Sequence, residues 1–245
     1  GTMCYIPFVK LAEMLTAAQM KRNLRKVVTI SRQDEERGVA SSLLTRYDEI
    51  GNIARFLVAD LEHDMVTERI SLFYQPQVDY EGHVFGVEAL LRWNHRLYGY
   101  IYPPLIIALA EEAQLIDKLG GWILDTACRD LKRLEVLGMQ DISVSVNVSA
   151  SQLKNDRFNE ELDAIIQRHR IDPCQLEIEI TEQVALTTSK KIVAQILGLK
   201  QIGVRLAMDD FGMGHSSLMY LKEYAIDTVK IDGSLVRDIL VNSNC

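Results

Sequence analysis

From Ser71 onward, short apolar stretches alternate with amphipathic ones at a spacing that few folds can satisfy. Ser71–Gln75 and Val84–Trp93 read as strands, being β-prone and apolar. Pro103-Pro104 opens a helix through Leu105, Leu109 and Leu115, since proline suits a first helical turn. A second helix starts near Gly121, with Ile123, Ala127, Leu131 and Leu134 on one face and Gly138 as its stop. Strands are then expected at Ile142–Val148, Leu176–Ile180, Val204–Asp209 and Thr228–Asp232. Helices are expected between them at Leu162–His169, Ile192–Lys200 (ended by Gly203) and Ser216–Glu223. Alternating β and α segments imply a parallel sheet covered by helices. A TIM-like (β/α) barrel of α/β class is the first expectation, and an open doubly wound sheet the second.

Buried parallel strands are normally continuous apolar runs, and these are not. Asn147 stands near the end of the strand whose other face is Ile142, Val144, Val146 and Val148. Glu177 and Glu179 lie opposite Leu176, Ile178 and Ile180. Asp209 ends Val204–Asp209, and Lys230 and Asp232 alternate with Val229 and Ile231. Glu88 shares a face with Leu90 and Arg92. A single such residue is as well explained by a core ion pair. Several at strand C-terminal ends coincide with the end of an α/β barrel that holds active sites. Carboxylates gathered there repel one another unless neutralised. An all-oxygen set with an amide suits a hard divalent cation. The adjacent pair Asp209-Asp210 would allow a second ion, an arrangement common in phosphodiester hydrolysis. Lys230 adds a cation able to meet a phosphate or an attacking water.

Before Glu68 the chain reads differently. Residues 21–37 are dense in charge, as in a solvated linker or exposed helix. Leu43, Tyr47, Ile50, Ala54, Leu57 and Leu61 then form a heptad-like stripe. It would either pair two chains into a homodimer or pack on its own domain. The division expected is 1–67 for this tail and amphipathic helix, and 68–245 for the barrel domain. A net charge of −7 argues against a nucleic-acid polymer as partner. The four cysteines have no paired spacing, which argues against zinc or a disulfide framework. No apolar run reaches the ~18 residues needed to span a membrane. The expected setting is cytoplasmic, either free or as the cytoplasmic part of a membrane-anchored protein with an upstream sensor module.

Six blocks in order carry a family resemblance. They are Tyr74-Gln75-Pro76-Gln77-Val78-Asp79, Glu88-Ala89-Leu90-Leu91-Arg92-Trp93, Val146-Asn147-Val148-Ser149, Glu177-Ile178-Glu179-Ile180-Thr181-Glu182, Asp209-Asp210-Phe211-Gly212 and Lys230-Ile231-Asp232. Together they resemble the signature of EAL domains, over about Ser71 to Asp238. The resemblance implies a TIM-like barrel with a modified first strand. It implies hydrolysis of cyclic di-GMP to linear pGpG with Mg²⁺ or Mn²⁺, two ions in all. It makes Glu88, Asn147, Glu179 and Asp209 metal ligands, and Asp210 the residue serving the second metal. Lys230 becomes the lysine near water and phosphate, and Glu182 the glutamate that steadies the loop after Asp209-Asp210. Gln75 and Arg92 become substrate contacts.

Two departures stand beside it. Met213 replaces the threonine usual after Asp-Asp-Phe-Gly, which bears on regulation. A Glu-Gly-Val-Glu-type strand, whose first glutamate is the family's candidate general base, is missing, as is the last strand. The chain is therefore expected to be part of a longer polypeptide. The alternative is a catalytically impaired domain that acts as a cyclic di-GMP receptor or a protein-interaction module.

Overall fold

The computed structural model describes residues 6–7, 47–186, 189–212 and 218–231. The charged segment 21–37, Leu43, Met213, Asp232 and Asp238 lie outside the described residues. The chain divides into two compact units, Gly1–Ile142 and Ser143–Cys245.

The first unit contains β1 (Ile6–Pro7), α1 (Tyr47–Val66), β2 (Ile70–Val78), β3 (Val84–His95), β4 (Gly99–Ile101), α2 (Pro103–Glu112) and α3 (Ile116–Val136). Its strands are antiparallel: β1 pairs with β2, β2 with β3, and β3 with β4. This corrects the expectation of parallel pairing from Ser71 onward. Only the turn Asp79–His83 separates β2 from β3, far less than a parallel crossover requires. Asp79 organises that turn by accepting the amides of Glu81 and His83 on Oδ1, at 2.9 and 2.8 Å. Gly82 supplies the φ of +87° the turn needs.

One face of the hairpin is core. Ile70, Leu72, Tyr74, Ala89, Leu91 and Trp93 are buried there. Its two polar atoms are satisfied by helices. Trp93 Nε1 donates to Asp64 of α1 at 2.8 Å, and Tyr74 Oη donates to Asp130 of α3 at 2.8 Å. Burial and the Asp130 charge push the Tyr74 hydroxyl well above its ordinary pKa, so it stays a donor. We expect Tyr74→Phe to lower stability by about 1 kcal/mol in urea unfolding, because Asp130 keeps Arg129 and Arg133 as partners. Asp130→Ala strands the buried hydroxyl and should cost more, about 1–3 kcal/mol. The reverse ranking would show that this bond does not hold β2 to α3.

α1 lies against α2 and β2 of the same unit. Leu57 and Leu61 of the stripe are buried there at 1% and 0% exposure. These two residues favour packing on the chain's own domain over pairing of two chains. α2 ends at Glu112, not Leu115, because Gln114 takes φ 58° and redirects the chain into α3.

The second unit follows the expected β/α rhythm. It runs β5 (Ser143–Asn147), α4 (Phe158–His169), β6 (Leu176–Thr181), α5 (Glu182–Ala185), α6 (Lys190–Ile202), β7 (Arg205–Phe211), α7 (Leu218–Glu223) and β8 (Thr228–Ile231). β5, β6, β7 and β8 pair in sequence order, all parallel. Gly203 closes α6 in the left-handed region at φ 98°, so the chain turns directly into β7. Leu176–Ile180 is buried on both faces, as a central parallel strand should be, including Glu177 and Glu179.

Candidate active site

In the first unit, alternation along β2 and β3 sends every second side chain away from the helices. That face carries Ser71, Phe73 and Gln75 on β2 and Glu88, Leu90 and Arg92 on β3, all half-buried. Gln75 sits directly opposite Glu88, and Ser71 opposite Arg92. The Arg92 guanidinium lies 5.9 Å from the Phe73 ring centroid, and its Nη1 donates to Leu91 O at 2.9 Å. The ring and the carbonyl both engage the guanidinium, the group suited to bidentate phosphate binding.

In the second unit, strand register gathers the remaining residues. Asn147 of β5 is directly opposite Glu179 of β6. Glu179 is opposite Ala207 of β7, and Asp209 is opposite Thr181. Lys230 of β8 reaches across. Its Nζ donates to Glu179 Oε2 at 2.7 Å and lies 3.9 Å from Asp209 Oδ1. The Glu179 side chain is fully buried, while those of Lys230 and Asp209 keep 24% and 26% exposure. One ammonium thus stands between two carboxylates at the edge of solvent.

Asp209 and Asp210 occupy a β-bulge. Met208 pairs with Val229 and Phe211 with Ile231, so two residues of β7 face only Lys230 on β8. Asp210 takes up the extra length at φ 55°, a conformation that aspartate tolerates better than most side chains. A regular strand would send consecutive side chains to opposite faces, and the bulge breaks that alternation at Asp209-Asp210. Beyond it, buried Glu182 accepts the Gly212 amide on Oε2 at 3.1 Å, tying the turn after β6 to the turn after β7. After β5, Ser149 and Gln152 exchange bonds: Gln152 Oε1 accepts the Ser149 amide at 3.0 Å and Ser149 Oγ accepts the Gln152 amide at 3.4 Å.

Sequence reasoning gave no role to two groups. The first lies one step down β6 from Glu179. Glu177 Oε1 accepts from Ser145 Oγ at 3.0 Å, and its Oε2 accepts from Thr228 Oγ1 at 2.7 Å. Arg205 Nη2 stands 3.4 Å from the same Oε2. The signal was the i, i+2 spacing of two glutamates on one strand. The second is the exposed trio Asp79, Glu81 and His83, whose ligand atoms lie within 4.8 Å of one another. The amides of His83 and Glu81 account for Asp79, and hold its carboxyl below the usual range, the His83 amide foremost. This trio is the hairpin turn.

The family model described as "EAL domain" matches residues 58–244. The chain is similar to the cyclic di-GMP phosphodiesterase NbdA of Pseudomonas aeruginosa, with 35% identity over 181 residues, 74% of this chain and 23% of the relative. It is likewise similar to the bifunctional diguanylate cyclase/cyclic di-GMP phosphodiesterase MucR of Pseudomonas aeruginosa, with 35% identity over 189 residues, 77% of this chain and 28% of the relative. The chain therefore spans about a quarter of the length of these curated relatives. Among solved structures, the PaMucR phosphodiesterase in complex with c-di-GMP superposes with a TM-score of 0.71 at 35% identity, covering 77% of this chain and 76% of that one. This likeness and the parallel β/α units of Ser143–Cys245 bear out the TIM-like α/β class over the doubly wound alternative.

Proposed function

The chain belongs to the EAL domain family, and from that premise we propose that it hydrolyses cyclic di-GMP, opening one phosphodiester to give linear pGpG. The observation that carries this reading is the convergence of Glu179 and Asp209 on the Lys230 ammonium, with Asn147 opposite Glu179.

The donors fit a hard divalent cation. Carboxylate and amide oxygens are the ligands that Mg²⁺ and Mn²⁺ prefer, and this pair of carboxylates already draws a positive charge between them. We assign Asn147, Glu179 and Asp209 to one ion, with Glu88 as the ligand the family pattern gives to the first unit, and Asp210 to a second ion. When bound, such ions supply Lewis-acid stabilisation of charge developing on the phosphate and make water more acidic.

The chain's own groups bind and orient. Arg92, whose guanidinium lies over Phe73, presents a fork of donors to phosphate oxygens. Gln75, beside Glu88 across the hairpin, contributes an amide to substrate binding. Lys230 contributes a partly exposed ammonium, available to a phosphate oxygen or to the attacking water. Glu182 restrains Gly212 and with it the chain that follows Asp209 and Asp210. In the reaction, the water oxygen bonds to phosphorus, one P–O ester bond breaks, and a proton passes to the departing oxygen. Free thiols at Cys128 and Cys174 are in keeping with a cytoplasmic setting. No helix among the described residues is long and apolar enough to cross a membrane.

Chelation tests the metal part directly. Turnover of cyclic di-GMP should disappear after EDTA treatment and return on adding Mg²⁺ or Mn²⁺, but not Na⁺. Turnover that persists through exhaustive chelation would mean that Asn147, Glu179, Asp209 and Asp210 hold no catalytic ion.

A further inference from the structure

We infer that Glu177 is a positioning residue for the reaction: through Thr228 it sets the height of β8 so that the Lys230 ammonium meets Glu179 and Asp209. The inference rests on the phosphodiesterase reading for its consequence, but not for its geometry.

β6 and β8 are not neighbours, because β7 lies between them. Even so, two side-chain bonds span the pair. Thr228 Oγ1 donates to Glu177 at 2.7 Å, and two residues further along both strands Lys230 Nζ donates to Glu179 at 2.7 Å. Ala207 of β7 is the residue between them, in register with Glu179 on one side and Thr228 on the other. Its single methyl leaves the passage open.

Backbone pairing holds Val229 and Ile231, on either side of Lys230, to Met208 and Phe211. The β7–β8 ladder is interrupted between Met208 and Phe211, which is where Lys230 stands. A bulge adds a residue to one strand and bends it, so the register that sets Lys230 against Asp209 is irregular there. Asp227 fixes where β8 begins on the β7 edge, accepting the Leu206 amide on Oδ2 at 2.8 Å. Side-chain bonds add to this on the side of β8 that carries Lys230, where Thr228 Oγ1 donates to Glu177 and accepts from Arg205.

Glu177 is itself held firmly enough to serve as an anchor. Its side chain is 6% exposed. Ser145 of β5 and Arg205 of β7 engage it from the two adjacent strands, and Arg205 also donates to Thr228 Oγ1 at 3.2 Å. One carboxylate thereby links four parallel strands. Groups of this kind, which orient the residues that touch metal or substrate, typically change activity about 10- to 100-fold when lost.

The test uses Thr228→Val, which keeps shape and removes the hydroxyl, and Thr228→Ser, which restores it. Two readouts are taken on the same proteins. The first is the Lys230 Nζ to Glu179 Oε2 separation in crystal structures. The second is kcat and KM for cyclic di-GMP well below the unfolding temperature. We expect Thr228→Val to break the Lys230–Glu179 contact and lower kcat about 10- to 100-fold with KM little changed, and Thr228→Ser to recover both. An intact contact in Thr228→Val, or parental kcat with a merely lower unfolding temperature, would overturn the inference. If the contact breaks as expected but the parent protein shows no turnover, the positioning role stands and the phosphodiesterase reading falls.

Discussion

Glu179→Gln removes cyclic di-GMP turnover by more than about 100-fold while the protein remains folded. Glutamine has nearly the same shape and can still accept from Lys230 Nζ, which now lies 2.7 Å from Oε2. The strand ladder from β5 to β7 does not depend on this side chain, because the register is set by backbone bonds on both sides of it. What disappears is a buried negative charge. Of the two carboxylates flanking Lys230 only Asp209 then remains, 3.9 Å away in the parent, and a divalent cation loses its most enclosed ligand. Loss of groups one shell further out already costs about 10- to 100-fold, so a direct ligand should cost at least the upper end. Circular dichroism and the unfolding temperature establish that the fold is kept, and product formation gives the loss. A folded Glu179→Gln protein with parental turnover would place the chemistry elsewhere.

Leu61→Glu should prevent the first unit from folding. Leu61 is 0% exposed on α1, and Leu57 one turn earlier is 1% exposed. Removing a buried leucine costs about 2–5 kcal/mol. Placing an unpaired carboxylate in its position adds several more through lost hydration. The sum is comparable with the ~5–15 kcal/mol that stabilises an ordinary domain. Phe56→Glu on the same helix, at a position 64% exposed, should leave the unfolding temperature within a few degrees. Far-UV circular dichroism and urea titration of both variants check this. If Leu61→Glu kept the parental unfolding curve and only the oligomeric state changed, the stripe would belong to a contact between chains.

The parallel half of the fold was legible because its strands break the apolar rule at regular positions. Glu177, Glu179, Asp209 and Lys230 could be placed by alternation alone, and Asn147 by standing at the end of a run of valines. The hairpin of β2 and β3 was misread as the start of the β/α series, although Asp79, Gly82 and the short gap to Val84 carry a turn signal. Strand propensity is the same for either direction of pairing, and only the connection length separates them.

Other features depended on three-dimensional register. The bulge at Asp209-Asp210 follows from how β7 meets β8, and nothing in the pair of aspartates predicts which one takes the left-handed φ. The bond from Thr228 to Glu177 skips a strand, so no local pattern announces it. The stripe on α1 was seen, but a stripe alone does not say what covers it. Two polar residues of the same helix, Asp60 within the stripe and Asp64 just beyond it, would have helped. They bond His95 at 2.9 Å and Trp93 at 2.8 Å in the same unit, which a solvent-facing or interchain helix would not need.

The central claim is tested by incubating the chain with cyclic di-GMP and Mg²⁺ or Mn²⁺ and resolving the products by chromatography, with Glu88→Ala beside it. The account predicts a single product co-eluting with linear pGpG from the parent protein and none from Glu88→Ala. Tight retention of unchanged cyclic di-GMP by the parent protein, with no linear product under either metal, would contradict it and identify a receptor instead.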